Sequence, residues 1–153
     1  MHIINLIRVK DWLKNILIFF PLIYSGLLFD QSYYTILILG FITFCTVASC
    51  IYMINDILDV ERDKQHPIKK FTKPIAANKV SIKQSYFILC SFIIIFLFLL
   101  YFQPNLYFSV LFYIVINIGY NFIFKNIPYL ELILLSSGYV IRIDAGSKIL
   151  SID

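Results

Sequence analysis

Of 153 residues, 60% are hydrophobic and only 14% are charged, and the mean hydropathy is +0.83. A soluble domain of this size needs far more polar surface, which excludes a soluble globular fold. The formal net charge is +4, from 13 basic and 9 acidic side chains that cluster rather than spread evenly.

The N-terminal stretch "MHIINLIRVKDWLKN" mixes charges with apolar residues and has no small-residue cleavage site, so it does not read as a signal peptide. It predicts a short amphipathic helix on the membrane surface, with Trp12 as an interfacial anchor. A bilayer-spanning helix needs roughly 20 mostly apolar residues. Residues 13–29 form a first span containing Pro21, which membrane helices tolerate. Residues 34–54 are free of charge, as are the slightly shorter runs 85–102 and 106–124. Residues 128–150 form a fifth run, interrupted by Glu131, Arg142, Asp144 and Lys148. Cys45, Cys50 and Cys90 all fall inside apolar runs, which suggests neither a disulfide framework nor a zinc site. The pattern predicts an all-α integral membrane helical bundle with about five transmembrane helices, in a single domain over residues 1–153.

Orientation follows from the basic residues. Arg8, Lys10 and Lys14 precede the first span, seven more lie between the second and third, and Lys125 lies between the fourth and fifth. The turns "DQSY" at 30–33 and "QPN" at 103–105 contain no Lys or Arg. The excess places the N-terminus and the 55–83 loop in the cytoplasm of a multi-pass cell-membrane protein.

The stretch "YMINDILDVERDKQHPIKKFTKPIAA" at 52–77 holds four of the nine acidic side chains between Asp56 and Asp63. If residues 52–64 are the end of a helix, then with Asn55 at zero, Asp59 falls at roughly 40°, Asp63 at roughly 80° and Asp56 at roughly 100°. Glu61, at roughly 240°, points away. Like charges at this spacing repel, so the cluster calls for a cation. Carboxylate and amide oxygens are hard ligands suited to Mg²⁺, and the adjoining "HPIKKFTKP" supplies point charges for a diphosphate. The plainer alternative is a solvated helix end whose acids pair with nearby lysines. The strict N-D-x-x-D-x-x-x-D spacing beside a basic tail favours the ligand site.

These residues resemble the first aspartate-rich motif of the UbiA superfamily of intramembrane prenyltransferases. "RVKDWLKN" at 8–15 is similar to that family's N-terminal signature, "GYNFIFK" at 119–125 to its helix-four motif, and "GYVIRIDAG" at 138–146 to its helix-five stretch. Order and spacing resemble the branch that includes decaprenyl-phosphate phosphoribosyltransferases. The resemblance implies Mg²⁺ held by Asn55, Asp59 and Asp63 with Asp56 nearby. It also implies catalytic roles for Asp59, Asp63, Tyr120 and Lys125, and substrate contacts from Lys14, Asn15, Lys69, Lys70 and Lys73. Implied partners are a polyprenyl lipid, a diphosphate substrate and membrane lipids, with no nucleic acid. The family has about nine spans and a second acidic motif, so the resemblance covers an N-terminal half, a truncated version of that fold. A second polypeptide or copy would supply the C-terminal half, and the isolated chain is expected to be inactive. Departures from the family are Lys73-Pro74 where Arg-Pro is usual, a stretch from His66 to that pair that is one residue longer, and Asn78 where glycine is common.

Two chemistries share this front end: phosphoribosyl transfer from phosphoribosyl diphosphate to a polyprenyl phosphate, which the motif details favour, and prenyl transfer to an aromatic or other acceptor. A non-catalytic membrane fragment and a divalent-cation transporter are the rivals. The transporter would place its acids mid-membrane rather than beside a lysine-rich loop.

Other polar residues carry narrower expectations. Tyr113, Asn117, Asn121 and Lys125 recur every fourth residue, which predicts interhelical hydrogen bonds for the first two. Arg142 lies roughly 21 Å along its helix from Pro128, too deep for the aspartates, and either lines the cavity or snorkels outward. Asp144 and Lys148 should pair with each other. Glu131 is placed to orient a basic ligand, and His66 to cap or orient its turn.

Single cysteines at Gln31 and Asn105, in a cysteine-free background, should react with an impermeant reagent added outside the cell, and one at Gln65 should not. The reverse pattern would overturn the orientation.

Overall fold

The computed structural model describes residues 2–120 and 128–152, and every regular element there is helical. A five-residue helix α1 (His2–Leu6) leads into a 3-10 helix (Val9–Phe19) and then α2 (Phe20–Tyr24). The long helix α3 (Tyr34–Leu58) is followed by α4 (Val60–Gln65) and the single turn α5 (Lys69–Thr72). Then come α6 (Ile82–Tyr101), α7 (Tyr107–Gly119) and α8 (Pro128–Leu150).

The first expected span is therefore not one continuous α-helix. Proline lacks an N–H and fits best in the first turn of a helix, and Pro21 sits there in α2. The preceding residues wind more tightly, and Asn15, Ile18 and Pro21 are buried every third residue. That period is the one a 3-10 helix presents on one face.

Two helices are long and apolar enough to cross a membrane, Gln31–Leu58 and Ile82–Tyr101, and Pro104–Gly119 is a shorter apolar helix. Only 17% of the most apolar window of Ile82–Tyr101 is buried. A soluble core helix would hide that surface, whereas Phe87, Ile94 and Phe98 are exposed, as lipid-facing side chains are. This helix starts three residues before the apolar run predicts, because Ser81 and Gln84 form a reciprocal cap. The Gln84 N–H donates to Ser81 Oγ (3.2 Å) and the Ser81 N–H to Gln84 Oε1 (3.0 Å). Before α3, Asp30 Oδ1 accepts from the Ser32 hydroxyl and N–H, which hold this carboxyl below its usual range.

The chain divides into two compact units, Met1–Leu13 with Cys45–Leu97, and Lys14–Phe44 with Phe98–Asp153. In the first, Leu6, Cys50, Met53, Ile57, Val60, Ile75, Val80 and Leu89 form the core. Ser49 ties the N-terminal segment to α3: its hydroxyl donates to the Ile7 carbonyl (2.7 Å) and accepts from the Trp12 indole (3.0 Å). Trp12 is thus bonded within the protein and half-buried. The cause is Leu6, wholly buried in the core, which holds the segment down.

In the second unit, Gly146 of α8 lies against the 3-10 helix, where any Cβ would overlap the Ile18 carbonyl. Phe19 packs on Phe41 and Phe44 on Tyr113, with ring centroids 5.9 Å and 5.7 Å apart. Gln103, expected in an external turn, is buried and donates to Thr43 Oγ1 (2.9 Å) and the Leu99 carbonyl (3.2 Å). Several helical hydroxyls bond the carbonyl four residues back: Thr43 to Leu39, Ser85 to Ser81, Ser91 to Phe87 and Ser136 to Leu132.

Asn78 closes the turn after Pro74–Ile75–Ala76 with φ +56°, and the Pro74 carbonyl accepts from the N–H groups of Lys79 and Val80. That left-handed backbone explains why glycine suits the position, and asparagine is among the few other residues that visit it. Asn78→Gly should leave stability in detergent almost unchanged, whereas Asn78→Val should lower it by about 1–2 kcal/mol. Chemical unfolding of both variants checks this, and equal stability would show that the strained φ is not retained.

Candidate functional site

The acidic stretch is helical on both sides of a break. α3 ends at Leu58, Asp59 turns with φ −87° and ψ 5°, and α4 resumes at Val60. Hydrogen bonds from the Asp59 N–H to the Asn55 carbonyl (2.9 Å) and from the Asp63 N–H to the Asp59 carbonyl (2.8 Å) carry the four-residue repeat across it. The angular separation drawn from the helical wheel therefore survives. Asp56 and Asp63 are buried, Asn55 and Asp59 half-buried, and Glu61 is 76% exposed and paired with Lys64 (2.8 Å).

The basic partners arrive from two segments. Arg8 Nη2 donates to Asp56 Oδ1 at 2.8 Å, and Lys73 Nζ donates to the same oxygen. Lys69 Nζ lies 3.5 Å from Asp63 Oδ1. Lys69 and Lys73 flank α5, whose start is capped by His66: Nδ1 accepts from the N–H groups of Ile68 (3.2 Å) and Lys69 (3.3 Å). Lysine in place of the usual arginine before Pro74 still reaches the acidic face. Lys70 is exposed and lies over the Phe71 ring, 4.8 Å from its centroid.

Asp56 is thus one carboxylate serving two cations through one oxygen. Its other oxygen, Oδ2, is buried and has no hydrogen-bond partner among the described residues. Among those residues, no group of three His, Cys, Asp or Glu side chains is placed to hold a metal ion. The donors suit a hard divalent cation bound by one or two carboxylates and completed by phosphate oxygens, rather than an all-protein cage. Asn55, Asp56, Asp59 and Asp63 are the residues that could contribute to such a site.

Lys14, Asn15 and Tyr120 belong to the second unit. Lys14 is exposed and Tyr120 half-buried at the end of α7. Asn15 is fully buried, and its Oδ1 accepts from Arg142 Nε at 2.6 Å. Arg142 also donates to the Gly138 carbonyl and to the Tyr113 hydroxyl (3.1 Å), so it points inward and does not snorkel. Tyr113 makes the expected interhelical bond, but Asn117 Nδ2 donates to the Tyr113 carbonyl of its own helix (2.8 Å). Asp144 pairs with Lys148 at 2.9 Å and accepts from Ser109 Oγ at 2.7 Å. Asn121, Lys125 and the side chain of Glu131 lie outside the described residues.

The structure brings Asp56, Asp63, Lys69 and Lys73 together and adds Arg8, which sequence reasoning used only for orientation. Its one signal was its place at the head of "RVKDWLKN".

Residues 17–149 match the UbiA prenyltransferase family. The chain is 33% identical over 148 residues to the decaprenyl-phosphate phosphoribosyltransferase of Corynebacterium glutamicum, covering 94% of this chain and 44% of that protein. To the protein of the same name from Mycolicibacterium smegmatis it is 34% identical over 149 residues, covering 94% of this chain and 46% of the relative. Over 74 residues it is 43% identical to the nodulation protein NoeC of Azorhizobium caulinodans, covering 48% of this chain and 24% of NoeC. The chain spans about half the length of the phosphoribosyltransferases it matches. The family match takes in α3 with its acidic end, both apolar helices and most of α8, and the chain belongs to the UbiA prenyltransferase family of membrane-embedded proteins.

Proposed function

We propose that the acidic and basic face at the end of α3 binds a diphosphate together with Mg²⁺, as part of a transferase acting on phosphoribosyl diphosphate and a polyprenyl phosphate. The observation that carries this reading is the double use of Asp56: two basic side chains converge on one oxygen of a buried carboxylate whose other oxygen has no hydrogen-bond partner among the described residues. An anion with several oxygens answers the first, and a divalent ion or a hydrogen-bond donor the second. The names of the relatives support phosphoribosyl diphosphate as the diphosphate.

In the proposed reaction a phosphate oxygen of the polyprenyl phosphate attacks C1 of the ribosyl group. The C1–O bond breaks, and the bonding electrons leave with pyrophosphate. When bound, Mg²⁺ would withdraw charge from the leaving oxygens. Lys69, Lys70 and Lys73 would neutralise the charge that grows on pyrophosphate. Asn55, Asp59 and Asp63 would orient the ion. The reading includes five spans, a cytoplasmic site and a second polypeptide or copy completing the cavity. The family's description keeps prenyl transfer from a polyprenyl diphosphate as a second reading, with the same leaving group.

Phosphoribosyl diphosphate with Mg²⁺ should raise the unfolding temperature of the detergent-solubilised chain, and chelating the Mg²⁺ should abolish the rise. No rise at saturating ligand would count against the reading, and a rise only with a prenyl diphosphate would favour the second one.

The burial pattern separates the acids by role. Asp59→Asn and Asp63→Asn should each weaken Mg²⁺-dependent binding by at least about tenfold, as loss of a charge-assisted contact does. Glu61→Gln should leave it within about twofold. Equal losses from all three, in the same titration, would mean that bulk negative charge matters rather than ligation.

A further inference from the structure

We infer that Arg8 is a diphosphate-contacting residue, held ready by Asp56 and Tyr52; this rests on the proposed reading of the acidic and basic face. The guanidinium carbon lies 4.5 Å from the centroid of the Tyr52 ring, and Nη2 is bonded to Asp56 Oδ1 at 2.8 Å. These two contacts fix both the plane and the direction of the group. A guanidinium carries five N–H donors. Among the described residues only one of the five has an acceptor, and the side chain is 25% exposed. The remaining donors form the planar fork that suits paired phosphate oxygens.

Asp56 does not need Arg8 for its own neutrality, because Lys73 bonds the same oxygen. The backbone adds a second, independent sign. Arg8 has φ +51°, a conformation that costs a non-glycine residue about 1–2 kcal/mol and persists only where its surroundings impose it. Those surroundings are visible: Ile7 and Trp12, on either side, are both bonded to Ser49, and the Arg8 carbonyl accepts from the Asp11 N–H at 2.8 Å. The kink aims the side chain at the end of α3.

The test is calorimetric titration of the detergent-solubilised chain with inorganic pyrophosphate and Mg²⁺. Arg8→Gly keeps the left-handed backbone without strain and removes only the side chain. It should weaken pyrophosphate binding about tenfold to a hundredfold, the range for lost hydrogen bonds to a charged group. Arg8→Lys, which keeps the charge but not the fork, should fold normally and bind several-fold more weakly than the parent. Lys64→Gln removes one positive charge from the exposed side of α4 and should change affinity by less than about twofold. If Arg8→Gly and Arg8→Lys both match the parent, or if Lys64→Gln weakens binding as much as Arg8→Gly, the assignment of Arg8 is overturned. A parent chain that binds no pyrophosphate overturns the diphosphate reading itself, and the role of Arg8 falls with it.

Discussion

Burying a carboxylate until it is only 2% exposed is costly unless cations replace the water it has lost. Asp56 meets that condition from two directions, and the first unit is organised around it. The N-terminal segment must come down onto α3 so that Arg8 arrives, and Ser49 and buried Leu6 hold it there. The segment after α4 must return so that Lys73 arrives, which the His66 cap, α5 and the Pro74–Asn78 turn accomplish. Removing either cation would leave the other to neutralise the carboxylate. Removing the carboxylate would leave two cations side by side, so Asp56 is the member that the arrangement cannot lose.

The second unit presents the opposite case. Arg142 is 5% exposed and bonds only neutral acceptors among the described residues: an amide oxygen, a backbone carbonyl and a phenol. Such a charge is stabilised by hydrogen bonds and by the face of the Tyr113 ring, 4.9 Å away, rather than by an ion pair. It binds α8 to α7 and to the 3-10 helix at one point. Packing then follows from shape, since Gly146 permits the Ile18 backbone to approach α8 as closely as it does.

Features that depend on local periodicity were legible in the sequence. The helical wheel separated Glu61 from Asp56 and Asp63, and spacing alone paired Asp144 with Lys148. His66 was expected to cap or orient its turn, and Asn78 already stood at a position that favours glycine. Features that depend on distant pairs were not legible. Arg8 meets Asp56 across 48 positions, and Asn15 meets Arg142 across 127. The break at Asp59 left the wheel intact, because hydrogen bonds on both sides of it keep the same repeat.

Ser136 is exposed and Ser91 half-buried on their helices, yet each hydroxyl donates its proton to a carbonyl of the previous turn. A donor satisfied inside its own helix can meet hydrocarbon without needing a neighbour, a water or a lipid headgroup. Summed transfer scales, which score every serine as if its donor were bare, therefore understate how readily α6 partitions into lipid. Insertion of α6 can then precede assembly, the helix entering the bilayer before its contacts with the rest of the chain are made.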